Sequence, residues 1–344
     1  MSVMSVTGPI SVEALGITLP HEHLFIDLRN QYTEPADPGM RRLGRQKVRM
    51  SNLGLLRRNP YALADNLLLD DPAVIRQEVR RFKRAGGRTI VDCTSLGIHR
   101  DAHKLLELAQ ATGVQIIAGT GYYTADTHPA AMNDWTAEEI AGQMIADLTV
   151  GIDGTPVRAG VIGEIGTNEP MHPNERKSLQ ASALAFHETG VPIYVHIFPW
   201  GKTGLEAAWL LLRAGVDPAK IVICHTDVEP DIDYIQELFS LGIFLEFDNF
   251  GKEFYIDPAD RAFADGIFIQ DSERVRLLRQ LVDDGYARQL LITNDICLKM
   301  MLHAYGGWGY DHILRNIVPM LRHEGIAQET IDLFLVGNPR RLFA

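Results

Sequence analysis

The sequence predicts an α/β fold of the (β/α)8 or TIM-barrel type, and three observations support this. Short apolar segments alternate with longer amphipathic segments along the whole chain, as in parallel strands joined by helices. The apolar segments are nearly continuous, which is typical of strands buried on both faces. Histidines and carboxylates follow several of these segments, at the strand ends where a barrel builds its site.

Eight apolar segments rich in β-branched residues are predicted to be strands. They cover residues 14–20, 88–95, 114–123, 158–167, 191–198, 220–227, 242–249 and 289–296. The helix predicted over 71–87 begins at Asp71-Pro72 and ends at glycine, the usual punctuation of a helix. Comparable helical segments are predicted over 100–113, 136–151, 174–190, 204–215, 230–242, 272–285, 310–325 and 327–338.

The strand pattern alone fits either a closed barrel or a doubly wound open sheet. An open sheet would spread the strand-end side chains along a line, whereas a barrel gathers them, so we favour the barrel. No linker interrupts residues 1–344, which predicts a single domain. A barrel needs ~250 residues. The surplus falls in segments 30–70, 250–272 and 297–311, after the first, seventh and eighth strands, and is predicted to form a substrate-binding canopy.

Composition excludes several classes of function. The 344 residues carry 33 Lys and Arg against 44 Asp and Glu, a net charge of −11. This balance argues against nucleic-acid binding and against docking on an anionic membrane. Three cysteines without a CxxC pair favour a reducing compartment. With neither a signal-like start nor an apolar run long enough to span a membrane, we expect a cytoplasmic protein.

Six metal-type side chains stand at or just after predicted strands. They are His21, His23, Glu164, His196, His225 and Asp295. A lone histidine in a strand is more often a core residue, but this joint placement favours a site. Six ligands suit two metal ions, with His21, His23 and Asp295 on one, His196 and His225 on the other, and Glu164 between them. Such ligands favour Zn²⁺, with Mn²⁺, Fe²⁺ or Co²⁺ as alternatives.

The chain resembles the phosphotriesterase family of the amidohydrolase superfamily. The resemblance rests on GITLPHEHL, TIVDCTSLGIHRD, GVQIIAGTGYY, YVHI, VICHTD and ITNDICLK, which together span most of the chain. It implies a binuclear metal centre held by the residues above, and a homodimer. Many members bridge their metals with a carboxylated lysine. Here AGVIGEIG offers only Glu164, as in the phosphotriesterase homology proteins, which puts efficient organophosphate hydrolysis in doubt.

Resemblance also suggests residues that touch the substrate. Tyr123 matches a tyrosine that lies near the bridging hydroxide in lactonase-like members. Signalling-lactone hydrolases of the family carry an arginine where this chain has Asn249. Loop cations on the same face are further candidates for binding a carboxylate or phosphate. These are Arg29, Arg100, Lys252 and Lys299.

The leading hypothesis is a lactonase that opens a small polar or anionic lactone, for which a metal-bridging hydroxide is the nucleophile. Asp295 would pass its proton to the leaving alkoxide, and Tyr123 would orient the oxyanion. The same ligands would serve hydrolysis of an N-acyl amino acid or a phosphoester, which is the first alternative. A non-catalytic barrel that binds a small molecule is the second.

Overall fold

The computed structural model describes residues 1–255 and 267–344. Eight parallel strands form one sheet whose order follows the chain. They are β1 (Thr18–Glu22), β2 (Thr89–Asp92), β3 (Gln115–Thr120), β4 (Val161–Gly166), β5 (Ile193–His196), β6 (Ile221–Ile223), β7 (Phe244–Phe247) and β8 (Leu290–Ile292). The sheet curls into a nearly closed barrel, which confirms the predicted fold class.

Helices occupy the connections, as the sequence predicts. They are α1 (Pro38–Gly44), α2 (Leu53–Arg58), α3 (Pro72–Arg84), α4 (Ala102–Thr112), α5 (Ala137–Thr149), α6 (Pro173–Thr189), α7 (Thr203–Arg213), α8 (Ile232–Ser240), α9 (Asp271–Asp283), α10 (Val318–His323), α11 (Gln328–Asp332) and α12 (Asn338–Phe343). In the described part of the chain, none of them has the length and apolar character to cross a membrane.

The first strand begins four residues later than predicted. Val12–Leu15 forms a 3-10 helix, and Gly16 follows with φ 58°, a conformation that interrupts the extended chain. The later start places His21 inside β1 and His23 just beyond it. Segment 30–70, for which the sequence predicts no particular helix or strand, contains the helices α1 and α2.

Apolar side chains fill the barrel and close its end at the amino termini of the strands. Val91, Ile117, Val222 and other buried residues form a central cluster. An antiparallel hairpin, Ser2–Ser5 with Gly8–Ser11, and the last helix α12 contribute to the same cluster. Among the described residues, this cluster leaves the end of the barrel at the carboxyl termini of the strands open for a site.

Glu22 bridges the seam between β1 and β8. Its buried carboxylate accepts hydrogen bonds from Thr293 Oγ1 at 2.6 Å, from the Asn294 amide at 3.0 Å and from the Ile296 amide at 2.8 Å. A buried carboxylate needs such partners because desolvation penalises its charge. The bridge holds the His-Glu-His segment beside the segment that carries Asp295.

Candidate metal centre

The six predicted ligands meet at the carboxyl ends of the strands. All six are buried, with at most 8% of any residue exposed. They come from β1, β4, β5 and the residues just after β1, β6 and β8, which lie far apart in the chain. His225 and Asp295 adopt left-handed backbone angles, with φ of 61° and 47°. Strained residues of this kind cluster at functional sites.

Glu164 lies at the centre of the cluster. Its Oε1 is 3.2 Å from His23 Nε2, and its Oε2 is 3.1 Å from His196 Nδ1 and 3.5 Å from His225 Nε2. Oε2 also lies 3.6 Å from His21 Nε2, so the carboxylate contacts imidazoles of both predicted ligand groups. This is the arrangement that a bridging carboxylate requires.

Hydrogen bonds behind the histidines fix which nitrogen faces inward. His21 Nδ1 is 2.8 Å from Glu246 Oε2, His23 Nδ1 is 2.9 Å from Thr94 Oγ1, and His225 Nδ1 is 3.0 Å from Asp248 Oδ1. Each of these three rings therefore presents Nε2 to the cluster. Carboxylates and other acceptors behind metal-binding histidines serve this purpose widely.

The donor set fits two divalent ions. Ligand atoms of His21, His23 and Glu164 all lie within 4.8 Å of one another, as do those of Glu164, His196 and His225. Asp295 Oδ1 lies 3.2 Å from His23 Nε2 and would complete the first group. In the described part of the chain, His21 Nε2 and Asp295 Oδ1 are buried without a hydrogen-bond partner. Buried polar atoms are normally paired, so these two atoms fit a metal.

Charges within the cluster reinforce one another. Burial acts to raise the pKa of Glu164, but His21 and His196 overcome it and hold that pKa well below its usual range. Burial likewise acts to lower the pKa of His23, but Asp295 and Glu164 raise it to about 9. Protons and metal ions therefore compete for the same ring nitrogens.

A pocket opens directly above this cluster. Its lining includes Leu28, Gln31, Tyr61, Tyr123, Thr124, Asn168, His196, Phe198, Pro199, Trp200, His225, Asn249, Lys252, Phe268, Asp295 and Cys297. The Tyr123 hydroxyl is 3.5 Å from His196 Nδ1. Lys252 Nζ contacts Asp295 Oδ2 and donates to Asn249 Oδ1 at 3.0 Å. The structure thus brings Tyr123, Asn249 and Lys252 to the site.

The prediction that Arg29 binds the substrate in this pocket is not supported, because Arg29 does not line the pocket. Its exposed guanidinium pairs with Asp27 at 2.6 Å beside a separate surface depression. Arg29 follows β1 in sequence, but its side chain points away from the six candidate ligands.

Arg100 and Lys299 were also predicted to bind the substrate, but neither lines the pocket, because each is held by aspartates elsewhere. Arg100 is buried between α5 and the segment after it, where Asp147 and Asp153 neutralise it at 2.6 and 2.7 Å. Lys299 pairs with Asp65 at 2.8 Å, also away from the pocket. Both cations tie structural segments together, a role that position along the chain could not distinguish from substrate binding.

Sequence reasoning missed the residues behind the ligands. Glu22, Glu246 and Asp248 were not identified, although a signal for two of them exists. FLEFD places two acids at alternate positions in an apolar strand, and a buried acid requires a charged or hydrogen-bonding partner. The canopy prediction is tested only in part. Segment 30–70 supplies Gln31 and Tyr61 to the pocket, segment 297–311 supplies Cys297, and residues 256–266 lie outside the described residues.

Comparisons with known proteins show the family of the chain. The model of the phosphotriesterase family matches residues 1–343. N-acetyltaurine hydrolase of Salmo salar is 40% identical over 343 residues, covering 98% of this chain and 97% of that protein.

Two solved structures are similar over nearly the whole chain. A resiniferatoxin-binding protein from Rhodobacter sphaeroides has a TM-score of 0.95 and 37% identity, covering 99% of this chain and 94% of the other. A mutant of the PTE-like lactonase of Deinococcus radiodurans has a TM-score of 0.78 and 30% identity, covering 99% and 100%. With relatives named as hydrolases and a family match that spans the chain, the protein is a hydrolase that belongs to the phosphotriesterase family.

Proposed function

We propose that this hydrolase cleaves a small N-acyl amide whose amine half carries a carboxylate or sulfonate. The observation that carries the proposal is Lys252, which is 5% exposed and lines the pocket beside Asp295. A buried ammonium next to the candidate ligands offers a charge-assisted hydrogen bond to an anionic group of the substrate. The relative named N-acetyltaurine hydrolase supports the proposal, because its named substrate is an amide of an anionic amine.

In the proposed reaction, the metal ions and the residues around the pocket have separate roles. When bound, two divalent ions would supply hydroxide at neutral pH and polarise the substrate carbonyl. The Tyr123 hydroxyl, 3.5 Å from His196 Nδ1, would donate to the carbonyl oxygen as negative charge develops there. Asp295, which Lys252 contacts at Oδ2, would take up a proton and deliver it to the leaving nitrogen.

An aromatic wall lines the same pocket and would enclose the acyl group. Phe198 and Trp200 have ring centroids 5.7 Å apart, and Trp200 lies 5.3 Å from Phe268. Tyr61, from the segment after β1, faces the same space. Apolar walls exclude water and so strengthen the electrostatic interactions of Lys252 and Tyr123 with the substrate.

A lactone, the leading hypothesis from the sequence, is the second candidate substrate. Its support is Tyr123 near His196 together with the similarity to a named lactonase. We place the amide ahead because the relative with the higher identity, 40% against 30%, is named as an amide hydrolase. The two substrates share the acyl carbonyl and differ in the leaving group.

Turnover measurements on the metal-loaded protein test these alternatives. The substrates are N-acetyltaurine, N-acetyl-β-alanine, the neutral N-acetylethanolamine, a γ-lactone and an aryl phosphotriester. We expect the two anionic amides to have the highest kcat/KM. A γ-lactone that surpasses them would move the second candidate to first place.

Two matched lysine variants test the role of the buried ammonium. Lys252→Met is expected to raise KM for the anionic amides by about 10- to 100-fold, the loss of a hydrogen bond to a charged group, and to leave KM for the neutral amide nearly unchanged. Lys299→Met is the control, because Lys299 is equally buried and also paired with an aspartate, but lies outside the pocket. Equal effects of Lys252→Met on neutral and anionic amides would refute anion recognition.

A further inference from the structure

Arg274 is a fully buried arginine that does not line the pocket. It lies in α9, has no exposed surface, and is one of the largest fully buried side chains in the described part of the protein. A buried guanidinium is costly unless its charge is neutralised and its donors are paired. Its partners therefore indicate what the residue does.

Two aspartates from different segments hold Arg274. Nε donates to Asp227 Oδ2 at 2.8 Å, and Nη1 donates to Asp271 Oδ1 at 3.2 Å. Nη2 reaches the Lys252 carbonyl oxygen at 3.4 Å. Asp227 follows His225 by two residues, so the guanidinium links α9 to the chain directly after a candidate ligand.

The same aspartates bind the backbone of the turn over residues 248–252. Asp227 accepts hydrogen bonds from the amides of Asp248 at 3.3 Å and Asn249 at 3.1 Å, and from Asn249 Nδ2 at 2.8 Å. Asp271 accepts from the Gly251 amide at 2.9 Å. Three amides and one carbonyl of this turn are therefore held by a cluster that has Arg274 at its centre.

Three side chains of the turn face the site. Asp248 accepts from His225 Nδ1 at 3.0 Å, and both Asn249 and Lys252 line the pocket. A shift of the turn would move all three together. The angle at which Lys252 enters the pocket hence depends on the two aspartates, and their separation depends on Arg274.

We propose that Arg274 is a positioning residue that fixes the turn over residues 248–252 and so aims Lys252 at the substrate. Without the guanidinium, the buried carboxylate of Asp227 would lose its ion pair, while Asp271 would keep its contact with His312 Nε2 at 2.8 Å, so the two aspartates would no longer be held together. Lysine keeps the charge but cannot donate in three directions from a planar fork. Arg274→Lys is consequently the informative variant, because it spares the fold while it loosens the turn.

Hydrogen exchange measured by mass spectrometry tests the positioning without any substrate. In Arg274→Lys we expect the amides of residues 248–252 to exchange about tenfold faster, while those of β4 remain unchanged. Arg276→Lys is the control, since Arg276 lies on the same helix but is exposed, and its Nε donates to the Ser272 carbonyl oxygen of that helix at 3.1 Å. If Arg274→Lys does not fold, Asp271→Ala removes the acceptor of the Gly251 amide and makes the same test. Unchanged exchange in the turn would overturn the proposal.

A double-mutant cycle tests whether the effect passes through Lys252, which rests on the proposed function. Arg274→Lys is expected to raise KM for an anionic amide about tenfold in the wild-type background and to have little further effect in Lys252→Met. Equal effects in both backgrounds would overturn the link to Lys252. If no amide is hydrolysed, the proposed function fails, while the exchange experiment still decides the role of Arg274.

Discussion

Glu246→Gln is expected to weaken metal binding at the His21 site about tenfold. Glu246 Oε2 lies 2.8 Å from His21 Nδ1, and both residues are fully buried. Hydrogen bonds to charged groups contribute about 1.5–3 kcal/mol, against about 0.5–1.5 kcal/mol for neutral ones. The difference, about 1.4 kcal/mol, is a factor of about ten in affinity. Asp248 Oδ2 is 3.6 Å from the same nitrogen, too far to replace the lost carboxylate.

The pH of the assay decides how large the effect is. Burial raises the pKa of Glu246 to about 7, although the charge of His21 opposes this. At pH 8 the wild-type carboxylate is ionised, and the variant should differ most. Below pH 6 the wild-type carboxyl is largely protonated, so the two proteins should converge.

Competition with a chelator, followed by metal analysis of the protein, measures the affinity. Glu188→Gln is the matched control, because Glu188 is exposed on α6. Glu246→Ala removes the acceptor altogether, and its affinity should fall up to about 100-fold. An affinity of Glu246→Gln within twofold of wild type at pH 8 would refute the view that Glu246 orients His21 for a metal.

Three further predictions concern the seam, the metal-free protein and catalysis. Glu22→Gln should lower the free energy of unfolding in urea by about 1–3 kcal/mol, because the Glu22 carboxylate accepts hydrogen bonds from Thr293, Asn294 and Ile296. An unchanged urea midpoint would show that the seam between β1 and β8 does not depend on this charge. Chelator-treated protein should lose thermal stability as the pH rises through about 9, because the pKa of His23 is raised to that value in the folded state. Protonated His23 contributes its full stabilisation only below the pKa of the unfolded chain, near 6.5. A melting temperature that increases between pH 6.5 and 9 would contradict this prediction. Tyr123→Phe should lower kcat about 100-fold with little change in KM and unchanged metal content, as loss of an oxyanion donor does, whereas a change confined to KM would assign the hydroxyl to substrate binding.

Strand positions and metal-type ligands were readable in the sequence because both depend on local patterns. Buried parallel strands require continuous apolar segments, and the residue after each strand lies at the same end of a barrel. His21, His23, Glu164, His196 and His225 could thus be grouped without any distance information. The first strand begins four residues later than predicted, because Gly16 breaks the extended chain inside an apolar segment.

The cation that lines the pocket could not be identified in the same way. Lys252 and Lys299 both follow strands at the same face, both are buried, and each contacts an aspartate. Only the tertiary structure shows that the partner of Lys252 is a candidate ligand, whereas Asp65 holds Lys299 elsewhere. A loop charge takes its role from its partner, and the partner is distant in sequence.

The barrel, the six candidate ligands and the hydrolytic class could be predicted from the sequence, since they follow from periodicity and from strand ends that a closed sheet must bring together. The groups that support the candidate ligands appear only in the folded protein. Glu246 behind His21, Glu22 across the seam and Arg274 between two aspartates are all contacts between segments far apart in the chain. A local pattern such as FLEFD can indicate that an acid is buried, but it does not identify the partner, because the direction of a polar side chain is set only when the strands and helices pack.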